Sequence, residues 1–86
     1  MDINHLIAIV KKKLQNQINI EDIKIEDKSF LHKNQAGTQD GKYHVKISLI
    51  SSELKTMNKI ESNKKIYKIL DNEMKESIHS IQILIS

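Results

Sequence analysis

The segment Tyr43-His44-Val45-Lys46-Ile47-Ser48-Leu49-Ile50-Ser51 places Val45, Ile47 and Leu49 at alternate positions, with His44, Lys46 and Ser48 between them. Successive side chains on a strand point to opposite faces, so this alternation predicts a strand buried on one side. A second run, Ser80-Ile81-Gln82-Ile83-Leu84-Ile85, alternates in the same way, and a third places Ile23 and Ile25 between Asp22, Lys24 and Glu26. Parallel pairing demands a crossover of a dozen or more residues, which residues 52–77 supply between the first two runs. Those two strands can therefore run parallel, in which case both start at one edge of the sheet. That arrangement brings the segment before Tyr43 and the start of the last strand, at His79, towards one place.

The remaining chain reads as helix and loop. Asp2 is a cap for a first helix in which Ile3, Leu6, Ile7, Val10 and Leu14 share a face and which ends near Gln17. Residues 28–41 contain both glycines and a polar stretch, and are expected to form a long loop. Ser51 or Ser52 can cap a short turn through Leu54. A longer helix is expected over about 58–75, its apolar side carrying Ile60, Ile66, Tyr67, Leu70 and Met74. The order is helix, strand, strand, helix, helix, strand. It predicts an α+β class fold with a three-stranded mixed sheet and helices on one face, in a single domain over residues 1–86.

At 86 residues the core is thin, since folding buries only about 60% of the unfolded surface at this size. With no cysteine, the chain offers neither disulfide nor thiolate, so metal chemistry falls to histidine, carboxylate or a partner's sulfur. The apolar run Leu6 to Val10 is far shorter than the roughly 20 residues of a membrane span. A soluble, cytoplasmic protein without membrane association is expected. All 14 basic residues are lysine, so the bidentate fork with which arginine reads guanine is missing. No Gly-x-Ser-x-Gly elbow, phosphate loop or His-Glu-x-x-His helix is present, so no enzyme activity is expected.

Several strings, in order, resemble the BolA family, whose fold is a variant of the class II KH type. They are Asp27-Lys28-Ser29-Phe30-Leu31-His32, Ala36-Gly37, Tyr43-His44-Val45-Lys46-Ile47, Leu49-Ile50-Ser51, Ile66-Tyr67 with Leu70, and Ile78-His79-Ser80-Ile81. The resemblance spans essentially the whole chain and implies a bacterial-type, stress-responsive adaptor. Such a protein is a monomer alone and pairs with a monothiol glutaredoxin to share a two-iron two-sulfur cluster. The partner and its glutathione bring the sulfur ligands, and no cofactor is held by the adaptor by itself. The family's histidine ligands fall here on His79, at the start of the last strand, and on His32, in the loop. His44 is a third choice, either the actual second ligand, a supporting group or a plain surface residue.

Neutral imidazole is a good ligand for iron, and its protonation removes the donor lone pair, so a histidine-held cluster is expected to be lost towards acid pH. His5, beside the apolar stripe of the first helix, is read as solvated. The resemblance also implies an alternative, a nucleic-acid-binding transcriptional regulator with a helix-turn-helix-like surface. Lys55, Lys59, Lys64, Lys65 and Lys68 would then touch DNA. Where many members carry Arg-His-Arg, however, this chain has Ser62-Asn63-Lys64. Between Glu53 and Glu76 six lysines also face five acids, a near-neutral balance. Gly37 and Gly41 do not form the GXXG loop with which KH domains clamp nucleic acid.

Overall fold

A computed structural model of the chain describes residues 2–29 and 42–86. The elements are α1 (Ile3–Gln17), β1 (Asp22–Asp27), β2 (Tyr43–Ile50), α2 (Ser52–Lys55), α3 (Lys59–Ile69), α4 (Asp71–Glu76) and β3 (Ile78–Ile85). The sheet has the order β1-β2-β3, with β1 antiparallel to β2 and β3 parallel to it, as the crossover length allows.

Helix α1 forms because Asp2 accepts the His5 N–H at its start and Leu6, Val10 and Leu14 recur on one buried face. That face meets Val45, Ile47 and Leu49 of β2 and Ile23 of β1 in one apolar cluster, which Leu54, Ile66, Leu70 and Ile78 complete. The helices thus lie over the face of the sheet that carries these residues. Ser51 ends β2 and opens the crossover: its Oγ accepts the Leu54 N–H at 3.2 Å and donates to the Asn19 carbonyl at 2.8 Å. A fully buried serine is tolerated there because both hydroxyl functions are used.

Two expectations for the crossover need correction. The single helix expected over 58–75 is two, because Leu70 departs from helical geometry at φ −97° and ψ 20°. The segments pack on different neighbours, α3 against α1 and α4 against β3, so the chain turns between them. Ile60 and Tyr67 do not face the core; they are 69% and 41% exposed. At 3.6 residues per turn, both lie roughly 100–120° around the helix from Ile66, whose face is continued by Leu70 and, one turn earlier, by the buried Ser62.

Candidate functional site

The parallel pairing of β2 and β3 is regular over most of its length, with Val45 opposite Ile81 and Ile47 opposite Ile83. At the start it is not. Tyr43 stands opposite Ile78, but His44 stands opposite Ser80, so β3 has one residue more than β2 at this point and that residue is His79. Strict alternation would put His79 on the same face as Ile81, Ile83 and Ile85, towards the helices. The extra residue breaks the count: Ile78 is buried in the core, whereas His79 and Ser80 are both exposed. A bulge of this kind re-aims a side chain, and here it directs an imidazole to the face of the sheet that bears His44.

The two rings meet. The centroids of His44 and His79 are 4.7 Å apart, with the planes inclined by 54°. His44 is held from three directions. Its N–H donates to Ser29 Oγ at 3.0 Å, its carbonyl accepts the Lys28 N–H at 2.7 Å, and its ring Nδ1 is hydrogen-bonded to Ser80 Oγ. Only 5% of His44 is exposed, so it is not the plain surface residue that was one of its expected roles. The Tyr43 N–H donates to the Ser77 carbonyl at 2.9 Å, which fastens the two strand starts together. A depression of about 360 Å³ beside the pair is lined by Lys28, Lys46, Ser80 and Gln82, and His44 forms part of its wall.

Among the described residues, no group of three or more histidines, aspartates or glutamates converges as a metal site. The pair therefore offers at most a partial ligand set, an exposed imidazole beside a buried one, and any further donors for a metal must come from elsewhere. His32 lies outside the described residues. His5 is exposed on α1 and takes no part.

The lysines of the alternative reading are spread along the crossover. Lys55, Lys59, Lys64 and Lys68 are exposed, while Lys65 is tied to Glu53 at 2.6 Å. Lys65 and Lys68 also face Lys13, Asn16 and Gln17 across a groove of about 530 Å³ between α1 and α3. No residue pattern pairs α1 with α3 in advance of the fold, so Lys13 could not be placed there from its position in the chain. Ser80 was likewise missed as a site residue; its only signal was its position next to His79. No described helix is long and apolar enough to cross a membrane.

The family of BolA-like proteins matches residues 14–86. A protein of Haemophilus influenzae named "DNA-binding transcriptional regulator BolA" is 28% identical over 75 residues, which cover 87% of this chain and 70% of that one. "Protein BOLA1, chloroplastic" of Arabidopsis thaliana is 26% identical over 78 residues, covering 87% of this chain and 49% of its own length. Among solved structures, the BolA domain of SufE1 from Arabidopsis thaliana superposes with a TM-score of 0.77 at 22% identity, covering 92% of this chain and 87% of that one. BolA1 from the same plant gives 0.75 at 23% identity, with the same coverage of both chains. At these identities the structural likeness establishes the fold.

Proposed function

The chain belongs to the family of BolA-like proteins, and from that membership we propose that it is a non-enzymatic regulatory adaptor of the cytoplasm that shares a two-iron two-sulfur cluster with a monothiol glutaredoxin. The observation that carries this reading is the outward turn of His79 to 4.7 Å from His44. An extra residue in a strand leaves it unpaired and disrupts the ladder locally. Here that disruption sets two imidazoles side by side at a sheet edge.

The donor set fits. Two-iron clusters accept two histidines in place of two cysteines, which raises their potential, and this chain has histidines to give and no cysteine. Glutaredoxin and its glutathione supply the thiolates. When bound, the cluster supplies one-electron redox chemistry and thiolate-exchangeable iron. His79, exposed at the strand start, is the first ligand, and His44, buried beside it, is one candidate for the second. His32 is the other candidate for that place.

Anaerobic co-purification with a monothiol glutaredoxin, followed by visible absorption and circular dichroism, tests the proposal. The natural chain gives a cluster spectrum distinct from that of glutaredoxin alone. His79→Ala abolishes it, and of His44→Ala and His32→Ala, the variant lacking the second ligand weakens it. Absence of any complex with the natural chain would sink the reading.

One observation favours a second reading: the Haemophilus influenzae relative is named as a DNA-binding transcriptional regulator. If this chain binds DNA through α2 and α3, the logarithm of the affinity falls linearly with log salt, and binding depends on Lys55, Lys59, Lys64 and Lys68 rather than on His79.

A further inference from the structure

We propose that the free edge of β3 pairs with β3 of a second copy of this chain, antiparallel about a two-fold axis, so that two three-stranded sheets join into one. This pairing needs no metal and stands apart from the cluster reading.

The two edges of the sheet are built differently. Four of the six residues of β1, Asp22, Lys24, Glu26 and Asp27, are charged, which is one way in which proteins keep an open edge from pairing. Strand β3 is longer, at eight residues, and holds no lysine, aspartate, glutamate, proline or glycine. Its irregularity is confined to the start, and from Ser80 to Ile85 it pairs regularly with β2, so no bulge turns the outer edge away there. Among the described residues, no backbone hydrogen bond reaches that edge. Ile81, Ile83 and Ile85 are only half-buried on the helix side, and Leu84 is 43% exposed on the other. An added strand would cover both.

Charge selects the occupant. The end of β3 lies along a groove of about 580 Å³ walled by Leu54, Met57, Ile83 and Ile85, whose lining includes Lys55 and Lys59 and no acidic side chain. The start of β3 follows closely on Glu76, which is exposed. Among the described residues, none of Lys55, Lys59 and Glu76 takes part in an ion pair. Antiparallel pairing sets the start of each strand beside the end of the other. Because α2, α3 and α4 all pack on one face of the sheet, a two-fold axis perpendicular to it keeps the helices of both copies on the same side. Glu76 of each copy is thereby brought to the end at which the other carries Lys55 and Lys59.

A contact of one strand edge and two small patches falls at the low end of interface size. The dimer therefore forms with rising concentration, and the monomer expected for the chain alone prevails in dilute solution.

Sedimentation velocity from about 10 µM to 1 mM, at about pH 8 where imidazole is neutral, is expected to show a monomer–dimer equilibrium within that range. Hydrogen exchange is expected to slow with concentration at residues 80–85 and to stay unchanged in β1. Gln82→Lys, at an exposed position near the two-fold axis, sets two lysines against each other and is expected to weaken the dimer at least about 10-fold. Glu76→Lys, and separately Lys55→Glu combined with Lys59→Glu, are each expected to weaken it about 3- to 10-fold, and the three changes together to restore it. A monomer throughout the range would overturn the proposal, as would a dimer that Gln82→Lys leaves intact or whose protection falls outside β3. Losses that do not recover in the combined variant would overturn the antiparallel arrangement, and the proposal with it.

Discussion

His44 and His79 lie with ring centroids 4.7 Å apart, yet His44 is 5% exposed and His79 stands in solvent. Adjacent residues of one type in such different surroundings carry different tasks. His44 is built into the protein by hydrogen bonds at its backbone and its ring. His79 is held out by the strand itself.

Their substitutions should therefore separate stability from function. His79→Ala removes an exposed side chain and is expected to change unfolding free energy by less than about 0.5 kcal/mol. His44→Ala removes a buried ring together with its hydrogen bond to Ser80, at a cost of about 1–3 kcal/mol. Urea unfolding of both variants checks this. An equal cost at the two positions would make His79 a structural residue and undercut its role as a ligand.

The face of α3 gives a second contrast. Ile66 is fully buried, so Ile66→Ala should cost about 2–5 kcal/mol through lost burial and the cavity left behind. Ile60 is 69% exposed, and Ile60→Ala should fall within about 0.5 kcal/mol of the natural chain. A large loss at Ile60 in thermal or urea unfolding would return it to the core position that its hydrophobicity suggests.

Ile60 shows why part of the fold was legible and part was not. The strands could be read because Val45, Ile47 and Leu49 alternate with polar residues, and the length of the crossover allowed the parallel pairing of β2 with β3. Asp2 and Ser51 announced helix starts through their side-chain oxygens. In the crossover, Ile66, Leu70 and Met74 continue at four-residue steps with no glycine or proline, so nothing local marked the turn at Leu70. That turn comes from packing on two different neighbours. The candidate site was half legible for a similar reason. Strand order brought His79 towards the edge before Tyr43, but period-two counting directs it inwards. Its outward turn depends on how Tyr43 and His44 pair across the ladder, a property of two strands together.

Glu73 tests how α4 is anchored. Its carboxylate receives both hydrogen bonds of the Lys13 ammonium, at 3.0 and 2.8 Å, and its side chain is 10% exposed against 37% for Lys13. The pair lies between an exposed one, worth under about 1 kcal/mol, and a buried one, whose breakage costs about 3–5 kcal/mol. Glu73→Ala is expected to cost about 1–2 kcal/mol, and a double-mutant cycle with Lys13→Ala should show that the two losses are not additive. Additive losses would mean that α4 is held by its apolar contacts alone.

Three carboxylates make part of the stability depend on pH in the acid range. The Ser52 hydroxyl and N–H hold Glu21 below its ordinary value of 4.5. The Lys28 ammonium does the same for Glu26, and Lys65, helped by the Asn19 N–H, does so for Glu53. With a folded value below the unfolded one, each group binds more protons in the unfolded chain near and below pH 4.5, so stability rises with pH through that window. Their contribution is fully present above 4.5 and is lost as pH falls through the folded values. Glu53→Gln removes one of the three titrations and retains a side chain able to accept the Asn19 N–H. Its stability should fall less steeply than that of the natural chain below pH 4.5, while at pH 7 it lacks the Lys65 ion pair and is slightly less stable. Parallel acid limbs for the two proteins in urea unfolding across this range would show that Glu53 titrates alike in the folded and unfolded chain, and that its bonds to Lys65 and Asn19 do not persist in solution.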